Sequence, residues 1–173
     1  HGGAARARLD AGAKVSATNR NGYTALRAAA ASGDATSVHL LVDAGAAIEA
    51  RSHRGSSALM AAALNGHPNA VETLIRAGAD LDSANNRGYT ALMAAAEFGN
   101  KGCVSVLLRA DASPALRNLQ GETAWQIARR RRSADHERQP IGQSHVTPPA
   151  QGERTRRHTV ETRGTARSTP VTD

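Results

Sequence analysis

Cys103 is the single thiol in 173 residues. A thiol needs an adjacent base or cation to act as a nucleophile, and a second thiol to form a disulfide. Cys103 has neither pattern beside it: it directly precedes Val104 in an apolar helical stretch, the setting of a small packing residue. The histidines are the next group able to do chemistry, but His39, His53 and His67 fall at different phases of the pattern described below and give no zinc-ligand spacing. The chain has no phosphate-binding glycine loop, no His-Glu-x-x-His, no Gly-x-Ser-x-Gly and no paired-cysteine motif. No catalytic residue, metal ligand or cofactor-binding residue is therefore assigned, and neither an enzymatic activity, a cofactor nor a small-molecule substrate is expected. Recognition chemistry remains. Its candidates are Arg20, Tyr23, Arg27, Arg54, Met60, Arg87, Tyr89 and Met93, because Tyr and Arg concentrate binding energy at interfaces and Met adapts to irregular partners.

These residues recur because the chain recurs. Gly22, Gly55, Gly88 and Gly121 are spaced 33 residues apart, each inside an Asn/Ser-x-x-Gly-x-Thr/Ser segment: Asn19 to Thr24, Ser52 to Ser57, Asn85 to Thr90 and Asn118 to Thr123. Asn or Ser can bond its own backbone two residues on, Gly accepts positive φ, and the closing Thr or Ser is a strong helix N-cap. Ala25 to Ala30, Ala58 to Ala63 and Ala91 to Ala96 follow as short alanine-rich helices that end at Gly33, Gly66 and Gly99. Their small side chains let neighbouring helices approach closely, while Leu26, Leu59 and Leu92 anchor them. A second helix carries Val38, Leu41 and Val42, repeated as Val71, Leu74 and Ile75 and as Val104, Leu107 and Leu108, which predicts one buried face. It stops at Gly45 or Gly78, after which Ile48 or Leu81 turns back toward the core. A period of this length builds a solenoid in which each unit packs on its neighbours.

The segment Thr24-Ala-Leu-Arg27 with its turn, alanine helix, glycine and Leu-Leu-like second helix resembles the ankyrin repeat family, whose motif runs Asp-x-x-Gly-x-Thr-Pro-Leu-His-x-Ala-Ala-x-x-Gly-His. The resemblance implies an all-α, ankyrin-type α-solenoid of helix-turn-helix repeats with β-turn or hairpin loops. It covers whole repeats at residues 19–51, 52–84 and 85–117 and partial repeats at 1–18 and 118–128. It also implies a scaffold or adaptor module that binds a protein partner through its turn tips and concave first-helix face. The competing class is an accessory segment of a larger enzyme, channel or ubiquitin-ligase-type protein. Within the candidate set two readings stay open: either Tyr23, Tyr89, Met60 and Met93 contact a partner, or the tyrosines cover the turn stems and the methionines fill the seam between units.

The departures from the motif are informative. Proline and histidine of Thr-Pro-Leu-His are replaced by Thr24-Ala-Leu-Arg27, Ser57-Ala-Leu-Met60, Thr90-Ala-Leu-Met93 and Thr123-Ala-Trp-Gln126. Loss of each proline costs about 0.4–1 kcal/mol through the unfolded chain, which the fold survives. Asp111 stands where Gly45 and Gly78 stand, so a looser loop is expected there. Ala5 and Arg8 fall where later units place Val38 and Leu41, so the opening unit reads as a polar cap or an eroded repeat. Because His1 aligns with the middle of a repeat, the chain reads as a fragment of a longer protein.

Arg129 occupies the position of Ala30, Ala63 and Ala96, so the array must open to solvent there. Residues 129–173 hold ten Arg, no Lys and four Pro, and are expected to form a disordered tail whose deletion leaves thermal unfolding unchanged. That tail accounts for five of the seven net positive charges. Its arginines could neutralise phosphates, but no aromatic platform accompanies them and Asp135, Glu137, Glu153 and Glu161 interrupt the run, so nucleic acid is not the expected partner. No signal peptide and no membrane-spanning run is found, and cysteine is scarce, so an intracellular, cytoplasmic location is expected, with a nuclear one as the alternative because of Arg129 to Arg132. A translation of the wrong frame after Arg129 is a further reading of the change in character.

Overall fold

The structure is a computed structural model and describes residues 15–138, with side chains described over 15–134. The partial opening unit at 1–14, including Ala5 and Arg8, and residues 139–173 lie outside the described residues. Among the described residues there are seven α-helices: α1 Ala25–Ser32, α2 Ala35–Asp43, α3 Ala58–Asn65, α4 Pro68–Arg76, α5 Ala91–Phe98, α6 Lys101–Arg109 and α7 Ala124–Arg138. Among the described residues there is no strand, only an isolated antiparallel bridge between Thr18 and Thr24 at the first turn.

Each first helix begins where a hydroxyl takes over an orphan amide. Thr24 Oγ1 accepts from Arg27 N at 3.2 Å, Ser57 Oγ from Met60 N at 3.3 Å and Thr90 Oγ1 from Met93 N at 3.3 Å. Gly33, Gly66 and Gly99 end them in the left-handed region. The helices form two stacked rows. First helices α1, α3, α5 and α7 pack in sequence, second helices α2, α4 and α6 pack in a parallel row, and each unit's own pair packs together.

The seam between first helices is alanine: Ala30, Ala62, Ala63 and Ala95 are completely buried. Without long side chains to separate them, the rows close up, and Leu26, Leu59, Leu74 and Leu107 fill the space behind. Ile48 and Leu81 pack against this core from the loops, as their positions after Gly45 and Gly78 imply.

Three expectations are corrected. The loop at Asp111 is not looser: Asp111 adopts φ 66°, and Ala112 N reaches Leu107 O at 3.1 Å just as Ala79 N reaches Leu74 O at 3.0 Å. Asp tolerates the left-handed region well enough to keep the pattern. The apolar face of the third second helix is only partly covered, since Val104 is half-buried and Leu108 is 44% exposed, because among the described residues no fourth second helix packs on them.

The third correction concerns residues 129–138, which continue α7 rather than beginning a disordered tail. Arginine is among the better helix formers, and Arg131 Nη1 donates to Glu97 O at 2.8 Å, stitching the end of α7 to the end of α5. Earlier units do this job two residues later in the period, where His67 Nε2 meets Ala31 O at 3.1 Å and Asn100 Nδ2 donates to Ala63 O at 2.8 Å. Deletion from residue 129 would therefore remove a structural contact. Arg129 itself is exposed, as the opening of the array requires.

Candidate functional site

The turn tips are built by side chains that bond their own backbone. Asn85 Oδ1 accepts from Arg87 N at 2.9 Å and Tyr89 N at 3.0 Å; Asn19 Oδ1 does the same for Asn21 N and Tyr23 N. Ser52 and Asn118 repeat the device for Ser56 N, Gln120 N and Glu122 N. Each tip then bonds the next: His53 N to Asn21 O, Asn86 N to Arg54 O and Leu119 N to Arg87 O, all at 3.1 Å. This ladder places Asn21, Arg54, Arg87 and Gln120 in register along one ridge.

Tips and first helices together enclose a cleft of about 110 Å³ whose lining comes from three consecutive units: Arg27 from the first, Ser56, Met60 and Leu64 from the second, Tyr89 and Glu97 from the third. A small-molecule site occupies roughly 300–1,000 Å³, so this cleft has room for a side chain rather than a ligand. A more open trough of about 510 Å³ lies on the other row, between α2 and α4, lined by residues such as Thr36, His39, Thr73 and Arg76.

The candidate residues divide by burial. Arg20, Arg54 and Arg87 are exposed, and Tyr23 and Arg27 are half-buried. Met60, Met93 and Tyr89 are buried, with 4%, 1% and 6% of their surface exposed. Of the two readings left open, this burial favours packing for these three: Met60 and Met93 fill the seam between first helices, where stacking on both sides leaves them little open surface. Met60 and Tyr89 still line the cleft, as its floor and wall. Arg27 occupies the same position of the repeat as those methionines but belongs to the first described unit, and its side chain lies over the Tyr23 ring, 3.7 Å from the centroid. Its Nε is buried without a hydrogen-bond partner. Burial lowers the Arg27 pKa from its ordinary value, partly offset by Tyr23. Arg87 lies over Tyr89 at 5.0 Å. At the far end Glu122 is engaged by Arg130 at 3.5 Å.

Cys103 is buried and unpaired, and burial raises its pKa, so the thiol is held in its unreactive form. Among the described residues no group of His, Cys, Asp or Glu could hold a metal ion, and no helix is long and apolar enough to cross a membrane.

The geometry of turn, paired helices and in-register tips recurring unit by unit meets an independent match: the model of the family described as ankyrin repeats (three copies) matches residues 3–85, 29–118 and 59–136. The chain belongs to the ankyrin repeat family. No curated protein matched the chain. Ankyrin repeats are generally protein–protein interaction modules on a non-catalytic fold.

Within this ankyrin array, the role of Arg131 in capping α5 was not legible from the sequence. Its place in the period corresponds to Phe98 and Asn65, not to the capping positions His67 and Asn100, and it reaches Glu97 O only because the guanidinium is long. Nor does the sequence show that Glu97, near the end of α5, shares a cleft with Arg27 from two units earlier.

Proposed function

We propose that this ankyrin array, read as units 19–51, 52–84 and 85–117 between partial units, is a scaffold or adaptor module that binds a protein partner along its turn tips and first-helix face. The observation that supports this most is the cleft that Arg27, Met60 and Tyr89 line from three successive units. A partner lying across the tips would meet all three units at once. Exposed cations at the rim over a buried Met and Tyr floor match the pattern of a polar rim around an apolar centre. Three units offer at most about 800 Å² of contact, enough for micromolar to nanomolar binding.

The test is affinity capture from a native-source lysate, quantified by mass spectrometry, with three full-length baits. These are the native chain, a ridge variant in which Arg20, Arg27, Arg54 and Arg87 are all Ala, and a rear variant in which His39, Thr73 and Arg76 are all Ala. Proteins that the native and rear baits retain and the ridge bait loses are the expected result. Equal retention by all three baits contradicts the reading.

A further inference from the structure

We infer that the segment bound along the ridge is an acidic, extended stretch of polypeptide, with carboxylates spaced one repeat apart. The inference rests on the front-face reading above and adds the chemistry of the partner.

Most arginines in the array are already engaged. Arg51 donates to Ala84 O at 2.7 Å and to Ser83, Arg76 pairs with Glu72 at 2.7 Å, Arg117 donates to Gly121 O at 2.6 Å, and Arg130 and Arg131 hold Glu122 and Glu97 O. Arg20, Arg27, Arg54 and Arg87 differ, as does Arg129 on α7: among the described residues their side chains make no hydrogen bond and no ion pair. Arg27 is the sharpest case, because its Nε is buried with no acceptor and its charge is met only by the face of Tyr23. A carboxylate reaching into the cleft would give that cation the partner it lacks, with the planar two-point geometry that favours Arg.

The acidic residues lie elsewhere. Asp43 ends α2, Glu72 is on α4, and Glu49, Asp80, Asp82 and Asp111 are in the loops after second helices. Two of them also hold those loops together, with Asp80 N bonded to Glu49 Oε1 and Ser113 N to Asp82 Oδ1, both at 2.9 Å. On the tips and first helices the carboxylates among the described residues are Glu97, Glu122 and, toward the end of α7, Asp135 and Glu137, and Arg130 already engages Glu122. The first three tips therefore carry Arg20, Arg54 and Arg87 with no carboxylate among them, while Glu97 lines the cleft and Glu122 stands on the last tip; the cationic stretch selects partners by charge and steers their approach.

Spacing and shape fix the form of the partner. Helices pack about 8–10 Å apart, so Arg54 and Arg87, held in register by the tip ladder, recur at about that interval. An extended chain in the polyproline II conformation has three residues per turn and rises about 3.1 Å per residue, which brings every third side chain back to the same face at about the same interval. An α-helix with side chains is about 10–12 Å wide, far larger than a cleft of about 110 Å³, whereas one apolar side chain fits over Met60. Single-stranded nucleic acid would also answer the arginines, but it gains from stacking bases on open rings beside them. Tyr89 is buried and Arg27 lies over Tyr23, so neither offers a free platform.

The test is fluorescence polarisation with the full-length chain and labelled synthetic peptides. One peptide carries Glu at every third residue and a single central Leu in a Ser/Gly background. A second has the same composition with the Glu residues contiguous, a third has Lys in place of Glu, and a short DNA duplex is the fourth probe. Expected is binding of the first peptide that weakens with added salt, is roughly tenfold tighter than the contiguous peptide, and is undetectable for the lysine peptide. Replacing Arg54→Glu together with Arg87→Glu should weaken the first peptide at least about tenfold and let the lysine peptide bind. That reversal cannot come from unfolding, and circular dichroism of the variant checks it. A chain in which Arg154, Arg156, Arg157, Arg163 and Arg167 are all Gln should bind the first peptide like the native chain.

The inference is overturned if the arginine-to-glutamine chain, and not the ridge variant, loses binding. It is equally overturned if the duplex binds more tightly than the first peptide through the same ridge arginines, or if no peptide binds. If no peptide binds but the ridge bait still loses proteins from lysate, the acidic assignment fails and the protein-binding reading stands. If the ridge bait loses nothing, the protein-binding reading fails.

Discussion

Gly22, Gly88 and Gly121 sit at equivalent tip positions with φ 75°, 75° and 77°, so replacing any one by Ala costs the same backbone strain. That strain is about 1–2 kcal/mol for an L-residue in the left-handed region, reduced by about 0.4–1 kcal/mol because Ala also stiffens the unfolded chain. What differs is the next unit. A Cβ on Gly88 would lie 2.8 Å from Leu119 N and 3.0 Å from Asn118 Cα, and one on Gly22 would lie 2.9 Å from His53 Cδ2 and 3.0 Å from His53 N. A Cβ on Gly121 would meet nothing within 4 Å. The backbone atoms at the first two sites are pinned by the tip ladder and cannot simply swing away, so overpacking adds about 1–3 kcal/mol there. Gly88→Ala and Gly22→Ala should therefore each cost about 2–4 kcal/mol and Gly121→Ala about 1 kcal/mol. The assay is urea unfolding of the full-length chain followed by circular dichroism. With a slope of about 1–3 kcal/mol per molar urea, the midpoints should separate by about 1 M. Gly22 and Gly121 lie in the first and last described tips, so fraying at the array ends does not mimic the difference. Equal losses at Gly22 and Gly121 would refute the view that the tips are packed directly on one another.

Two further outcomes follow from the same packing. Leu59→Ala, in the middle of the stack and 2% exposed, should cost about 3–5 kcal/mol, whereas Leu108→Ala, 44% exposed on the last described second helix, should stay within about 0.5 kcal/mol; comparable losses in urea unfolding would mean the stack continues past α6. Asp34 caps α2, and its pKa is lowered first by the Ser37 hydroxyl at 2.6 Å and then by Ser37 N at 2.9 Å. A lowered folded pKa means its ionised form stabilises the fold above the unfolded value of about 3.9 and that this is lost as pH falls through the folded value. The stability gap between native chain and Asp34→Ala should therefore hold from neutral pH to about pH 4 and narrow below it. A gap that stays constant into strong acid would show that the charge plays no part.

The repeat, the caps, the alanine helices and the glycine stops were all legible as a line of residues, because each depends on neighbours within a few positions. Thr24, Ser57 and Thr90 cap where their side chains can reach their own third amide. The candidate site was legible in part. Arg20, Arg54 and Arg87 could be placed on tips because the turn alone decides that they project.

Burial at the seam could not be read in the same way. Arg27, Met60 and Met93 share one position of the period, yet the methionines lie between first helices stacked on both sides while Arg27 keeps part of its surface in the first described unit. The same cause exposes Leu108, whose residue type and spacing match those of half-buried Val42 and Ile75. Arg131 shows the converse, since a residue assigned to a disordered tail on composition is held by a carbonyl 34 residues earlier. Periodicity therefore specified the turns and helices of the described units and their order, since local hydrogen bonds and turn sterics act within one repeat. Tertiary stacking decided which equivalent residues are core and which are surface, because burial depends on whether a neighbouring unit stands there to exclude water.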